Sequence, residues 1–324
     1  MRVLVTGGCG FIGSALVRLI LADRSELSVI NLDALTYAGR LENLVDVADS
    51  DRYEFIRGDV RDENAVASLV ARCDAVLHLA AESHVDRSID SARVFFETNT
   101  VGTQVVLEAA RRTDFGGPIV IVSTDEVYGD APADSATHFD EDAVLRPSSP
   151  YAASKAAADL AALAMHRTFG LDVRIVRGSN SYGPRQYPEK IIPRFVTNLI
   201  RGERVPLYGD GSAMRDWLHV DDHARAILAV LDRGKAGRVY NASAGNERTN
   251  LELTRLILGE LGQDDAMIER VADRPGHDRR YPLDSSRIAA ELGWSPKAAW
   301  PEALAETVRW YAEHGDWWEH LGSP

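Results

Sequence analysis

The chain predicts an α/β fold: a doubly wound parallel sheet with a smaller lobe interleaved toward its C-terminal half. Three observations carry this. A strand, a glycine turn and a helix follow one another directly at the N-terminus. Short apolar strands then alternate with helical patterns as far as residue 178, the signature of β-α-β units and a parallel sheet. After residue 180 prolines and glycines interrupt the alternation, as expected where a second, irregular lobe begins.

Size and charge narrow the classes. The 324 residues are 45% hydrophobic and 26% charged, ordinary for a soluble chain with a full core. A formal net charge of -13 argues against nucleic acid or an anionic membrane as principal partner. An anionic small ligand is still accommodated, because a site needs only a few cations and a helix N-terminus. Cys9 and Cys73 fall in no paired motif, so neither a disulfide framework nor a metal site is expected and both read as buried fillers. No signal segment and no membrane-spanning apolar run is seen, and a cytoplasmic protein is expected. Of 36 basic residues only 4 are Lys; two of them, Lys155 and Lys190, lie in the motifs below.

The first strand is Arg2-Val-Leu-Val-Thr6. Gly7-Gly-Cys-Gly-Phe-Ile-Gly13 follows, then the helical spacing of Ala15, Leu16, Leu19 and Ile20. This is the context a dinucleotide fingerprint requires: Gly7, Gly10 and Gly13 permit the tight turn and close approach of a diphosphate, and the helix N-terminus faces the charge. The second strand, Ser28 to Leu32, ends in Asp33, twenty residues past Gly13. A carboxylate there accepts the ribose hydroxyls of NAD and repels the extra phosphate of NADP. Tyr53 to Arg57 is a third strand, leading to Asp59 and Val60. Asp59 suits either an adenine amino group or the cap of a helix beginning near Asp62; both readings stay open. Asp74 to Leu79 is a fourth strand, and the small residues Ala80 and Ala81 at its end let a cofactor lie close. His84 is read as fixing its loop, because a better acid/base set follows.

Ala92 to Arg112 has helical periodicity, Ile119 to Ser123 is a buried strand, and Thr124-Asp125-Glu126 sits at its C-terminal end. Thr137 to Ser149 reads as a loop, Tyr151 to Phe169 as a helix and Val173 to Val176 as a strand. Beyond the proline-punctuated 184–193, helices are expected at Arg194 to Ile200, Asp221 to Leu231, Asn250 to Leu261 and Pro301 to His314. Val205 to Tyr208 is a short strand, and Arg238 to Asn241 is one that can rejoin the main sheet. The expected division is 1–178 plus about 219–247 for NAD, in a Rossmann-type domain, and about 179–218 plus 248–324 for the second lobe.

Two side-chain sets carry the chemistry. Tyr151 and Lys155 lie four apart on one helical face. An ammonium beside a phenol lowers the phenol pKa from about 10, so the tyrosine can take a proton from a sugar hydroxyl as hydride leaves the same carbon. Asp125 and Glu126 form an acid/base pair suited to expelling water.

With these motifs in hand the chain resembles an extended short-chain dehydrogenase/reductase, and within that superfamily the dTDP-glucose 4,6-dehydratases over essentially its full length. The runs that carry this are Thr6–Gly13, Leu35-Thr-Tyr-Ala-Gly39, His78–Ser88, Ser123-Thr-Asp-Glu-Val-Tyr-Gly129 and Ser149–Lys155, then Asn180–Lys190, Arg215–His223 and Asp273–Tyr281. The resemblance implies NAD as cofactor, a dTDP-sugar as substrate, and a homodimer formed through the 92–112 and 151–169 helices. It implies that Tyr151 deprotonates the C4 hydroxyl, that Glu126 removes the C5 proton, that protonated Asp125 donates to the departing C6 hydroxyl, and that Thr124 bonds the sugar near C4. For NAD it adds Phe11, Ile12, Leu79, Ser83, Thr98, Tyr151, Lys155 and Ser181. For the nucleotide sugar it adds Ser83, Asn180, Lys190, Ile191, Pro206, Tyr208, Arg215, Asn250, Arg274 and His277, with Lys190 and Arg215 partnering the diphosphate. Two departures stand out: Ser181 replaces the family's second asparagine, and Cys9 the usual alanine. A nucleotide-sugar 4-epimerase would use Tyr151 and Lys155 but needs no Asp125–Glu126 pair; a non-catalytic NAD-sensing regulator would need none of the four.

Overall fold

The computed structural model describes residues 1–131, 138–273 and 275–321. Arg274 and Thr137, the first residue of the expected 137–149 loop, lie outside them. The first half runs β1 (Arg2–Thr6), α1 (Phe11–Asp23), β2 (Ser28–Asp33), β3 (Tyr53–Arg57), α2 (Glu63–Val70), β4 (Ala75–His78) and α3 (Val85–Asp90). It continues with α4 (Ala92–Phe95), a π-helical turn (Phe96–Val101), α5 (Gly102–Arg112), β5 (Ile119–Thr124), α6 (Pro150–Phe169) and β6 (Val173–Gly178). The rest is β7 (Asn180–Tyr182), α7 (Ile191–Ile200), β8 (Val205–Tyr208), β9 (Met214–His219), α8 (Val220–Arg233), β10 (Val239–Ala242), β11 (Glu247–Thr249), α9 (Asn250–Glu260), β12 (Ile268–Val271), α10 (Ser286–Leu292), α11 (Glu302–Glu313) and α12 (Gly315–Trp318).

Seven strands form one parallel sheet in the order β10-β6-β5-β4-β1-β2-β3. This is the doubly wound, Rossmann-type order, with its reversal between β1 and β4, where ligands bind. The central strands are buried on both faces, so they read as unbroken apolar runs, while the edge strand β3 is only partly buried. Successive residues feed opposite cores. Val3 and Val5 pack with Leu16, Ile20, Ile227 and Val230 of α1 and α8. Leu4 between them packs with Val66, Val106 and Ala162 of α2, α5 and α6. Truncating such a side chain to Ala costs about 2–5 kcal/mol. β10 does rejoin the main sheet, beside β6 in parallel register.

A second core gathers Ile192, Phe195, Trp217, Leu253, Ile257, Leu304, Tyr311 and Trp318. It is framed by a three-stranded sheet, β11-β9-β7, and a parallel pair, β12-β8. Ile288, Leu292 and Trp294 join the core of the main sheet. The expected 92–112 helix is present as α4, a π-helical turn and α5.

Candidate active site

The C-terminal ends of the sheet strands open into a cavity of about 380 Å³. Each wall is set by local sequence. Gly7 lies at φ +72, and a Cβ on it would sit 2.7 Å from the Ala80 backbone. A Cβ on Gly13 would sit 2.2 Å from the Gly7 carbonyl oxygen. The loop therefore keeps β1, β4 and α1 at glycine-only distances. α1 begins at Gly10 with no side-chain cap and no acidic residue in its first turn, which leaves its N-terminal N–H groups and dipole for an anion. Asp33 ends β2 nearly buried; its carboxylate accepts from the Cys9 and Leu35 amides at 2.9 and 2.8 Å, while burial raises its pKa. An uncapped helix, a side-chain-free cradle and a carboxylate at the second strand end together fit a dinucleotide.

The cavity brings together Gly7, Gly10, Phe11, Ile12, Gly13, Asp33, Asp59, Val60, Leu79, Ala80, Ala81, Ser83, Thr98, Ser181 and Tyr151. Asp59 is not the helix cap: Asp62 caps α2, accepting from the Asn64 and Ala65 amides, and Asp59 grips the Arg61 guanidinium at 2.6 Å. The π-helical turn places Thr98 in the wall and Asn99 behind it. The Asn99 amide clamps the Glu82 backbone at both ends and donates to Ser154 Oγ, joining the end of β4 to the start of α6. His84 fixes its loop as the N-cap of α3, accepting from the Arg87 amide.

Ser149 caps α6, and Pro150 occupies its first position, a start that aims Tyr151 inward. Across from it, β5 delivers Thr124 into a short 3₁₀ turn (Asp125–Tyr128). Thr124 Oγ1 accepts from the Glu126 amide and donates to Asp125 Oδ1 at 3.1 Å. Asp125 is 2% exposed, and its other oxygen has no hydrogen-bond partner. Burial, then the adjacent Glu126, raises its pKa well above the carboxylate range. Glu126 is more accessible. Two neighbouring carboxyls thus sit in contrasting environments, the arrangement that separates acid from base.

Tyr151 departs from expectation. Burial, then Glu126, raises its phenol pKa, and only the nearby Thr124 hydroxyl opposes this. Lys155 is not on the cavity wall: its Nζ is buried and donates to the Val122 carbonyl at 2.7 Å. Burial lowers its pKa, and Asp159, one turn further along α6, counters the shift.

On the second-lobe side, Ser83, Asn180 and Lys190 line the cavity beside Thr124. Lys190 Nζ donates to the Ser83 carbonyl at 2.6 Å. Ile191, Pro206, Tyr208, Arg215, Asn250 and His277 are not part of its wall, and Arg274 is outside the described residues. Arg215 is committed to the Met214, Arg279 and Asp278 carbonyls and stacks over Tyr281 at 4.6 Å. Tyr208 donates to Asp86, and its ring meets that of His277 edge-on.

Sequence reasoning missed Tyr37, Glu82, Gln186, Tyr187, Glu189 and His223 in the wall. His223 is invisible in a helix pattern. Its ring packs where a Cβ of Gly178 would be, its Nδ1 meets Ser181 Oγ at 2.8 Å, and burial lowers its pKa to about 4. Among the described residues, eight buried side-chain atoms lack partners, and five of them belong to cavity residues: Ser123, Asp125, Ser179, Asn180 and His223. Buried polar groups are rarely left so; their clustering marks where a polar ligand completes the site.

The sequence profile of the GDP-mannose 4,6 dehydratase family matches residues 4–307. A dTDP-glucose 4,6-dehydratase of Streptomyces niveus is 53% identical over 328 residues, covering 100% of this chain and 96% of that one. The chain belongs to the dTDP-glucose 4,6-dehydratase family. A Streptomyces griseus member is 54% identical over 322 residues, covering 99% and 97%. The dTDP-glucose 4,6-dehydratase of Streptomyces venezuelae, solved with NAD and TYD bound, superposes at a TM-score of 0.96 with 52% identity, covering 99% and 100%. The family shares the fold of this chain over its whole length.

Proposed function

We propose that the chain catalyses the NAD-dependent 4,6-dehydration of dTDP-glucose to dTDP-4-keto-6-deoxyglucose. The single observation that carries this is Asp125. A carboxyl whose ionisation burial disfavours, beside a more accessible Glu126 and a buried tyrosine in one cavity, is the equipment for eliminating water. NAD, when bound, takes hydride from C4 and returns it to C6.

The chain's residues move the protons. Tyr151 accepts the C4 hydroxyl proton, and Thr124 bonds the sugar near C4. The 4-keto group acidifies C5–H; Glu126 takes that proton and gives one back to C5 when hydride reaches C6. Asp125 gives its own to the C6 hydroxyl, which departs as water. The Tyr151 phenol has to reach an ionised state that burial disfavours, so ligands that complete the site must favour it.

The Gly7–Gly13 loop and α1 would hold the NAD diphosphate, Asp33 its ribose, Asp59 and Val60 the adenine side, and Leu79, Ala80, Ala81, Ser83, Thr98 and Ser181 the remainder. Ser83, Asn180 and Lys190 would meet the sugar diphosphate. Arg215 would join Lys190 at that diphosphate, and Ile191, Pro206, Tyr208, Asn250, Arg274 and His277 would extend the site along the rest of the nucleotide sugar. The segments 1–178 with about 219–247, and about 179–218 with most of 248–324, are the corresponding NAD and nucleotide-sugar units. No described helix is long and apolar enough to cross a membrane, and a cytoplasmic location fits that. A homodimer through 92–112 and 151–169 is supported by the exposed Phe96, Val101, Leu160 and Phe169 on these helices; a monomeric mass in solution would refute it. The function is tested by mixing the protein with dTDP-glucose and following the sugar protons, as set out at the end of the Discussion.

A further inference from the structure

We infer that Tyr37, Glu189 and Arg87 form a clasp that retains the nicotinamide cofactor throughout the catalytic cycle. Three segments from distant parts of the chain converge here, two of them lining the cavity. Tyr37 lies in the connection after β2 and Glu189 in the segment before α7; both line the cavity. The Tyr37 hydroxyl donates to Glu189 Oε1 at 2.8 Å across 152 positions of sequence. The Tyr37 ring meets Tyr187 edge-on at 5.4 Å. Arg87 of α3 lies over the Tyr37 ring at 3.8 Å. Arg87 is exposed and Tyr37 half-buried, so the stack faces solvent on one side and the cavity on the other.

The neighbouring residue completes the crossing. Lys190 reaches the Ser83 carbonyl, so adjacent side chains of one segment tie it both to the β2 connection and to the end of β4. The ring supplies rigid area, and the cation over its face and the charge-assisted bond at its edge hold it in place. The glycine cradle and Asp33 lie on the same cavity wall as Tyr37. A dinucleotide seated there cannot leave past the clasp unless the Tyr37–Glu189 bond opens.

The chemistry explains why retention matters. In the proposed dehydration the hydride leaves and re-enters one sugar. If the reduced cofactor escapes between the two events, the keto sugar is stranded. The inference rests on that reading for its purpose, but its test does not depend on it. The protein is loaded with radiolabelled NAD, and loss of label is followed against excess unlabelled NAD with no sugar present. Tyr37→Phe removes only the hydroxyl; Glu189→Gln removes only the charge. Each should release label about tenfold faster or more, the value of a hydrogen bond to a charged group, and the double variant should be little faster than either single one. The thermal unfolding of each cofactor-free variant should match the parent, which a merely loosened fold would not do. Acceleration in neither variant, in only one, or with fully additive effects would overturn the clasp. A second experiment adds dTDP-glucose with an enzymatic trap for free reduced NAD: the variants should lose more cofactor to the trap per sugar converted. If no sugar is converted although the label results hold, the dehydration reading fails and the clasp stands.

Discussion

Asp125→Asn separates acidity from structure. The native carboxyl is buried, bonded to Thr124 through Oδ1 and without a partner at Oδ2. Burial, then Glu126, holds it protonated. Asparagine keeps the volume, the neutral charge and an oxygen for Thr124, and loses only the transferable proton. A positioned general acid contributes about 10²- to 10⁴-fold, or about 3–5 kcal/mol of barrier at 1.36 kcal/mol per decade. Sugar turnover, followed by proton NMR, should fall by that factor. C4 oxidation does not use Asp125, so the near-ultraviolet absorbance of reduced cofactor should still appear when dTDP-glucose is added. Stability supplies a second readout. A carboxyl whose folded pKa is raised binds its proton in the folded chain but ionises at about 4 when unfolded. The stability tied to that proton is complete below the unfolded value and is lost as pH rises toward the folded one. The variant lacks this dependence, so its melting temperature should gain on that of the parent as pH rises from acid to neutral. Turnover within tenfold of the parent, or parallel melting profiles, would refute the role of Asp125 as a buried acid.

Glu126→Gln should abolish exchange of the C5 proton with D2O while leaving C4 oxidation measurable; retained exchange would assign the C5 base elsewhere. Asp159→Asn should move the alkaline limit of activity to lower pH, because Asp159 opposes the burial that lowers the Lys155 pKa. Asp159→Glu should restore the limit, and an unshifted limit with either variant would detach Asp159 from Lys155.

The legible parts of the fold are those where local signal and burial agree. β1, the glycine turn and α1 declared themselves because steric demands at Gly7 and Gly13 leave one residue type, and α6 because Ser149 and Pro150 mark its start. The three-stranded sheet stayed hidden. β7 and β11 are three residues each, too short for a period to register. β9 carries Arg215 and Asp216 through the interior, which reads as loop. Yet Asp216 is satisfied by the Ala244, Gly245 and Asn246 amides, and Arg215 by backbone carbonyls. Long-range backbone bonding made those polar residues strand-compatible, and no sequence window contains it. At the site, the residues on strand ends and the glycine loop were legible from motif and position. The clasp side chains were not, because Tyr37 and Glu189 acquire meaning only through each other. The expected Tyr151–Lys155 charge effect rested on helical spacing alone, which fixes a shared face but not where the Lys155 Nζ points.

The central claim is elimination of water across C5 and C6 with return of the hydride. The most direct test is a proton NMR spectrum of dTDP-glucose mixed with the purified protein. The account predicts a new methyl doublet at C6, a keto sugar, and no net consumption of NAD. A galactose-configured product without a methyl signal would contradict it in favour of a 4-epimerase, and bound but unchanged dTDP-glucose would contradict it outright.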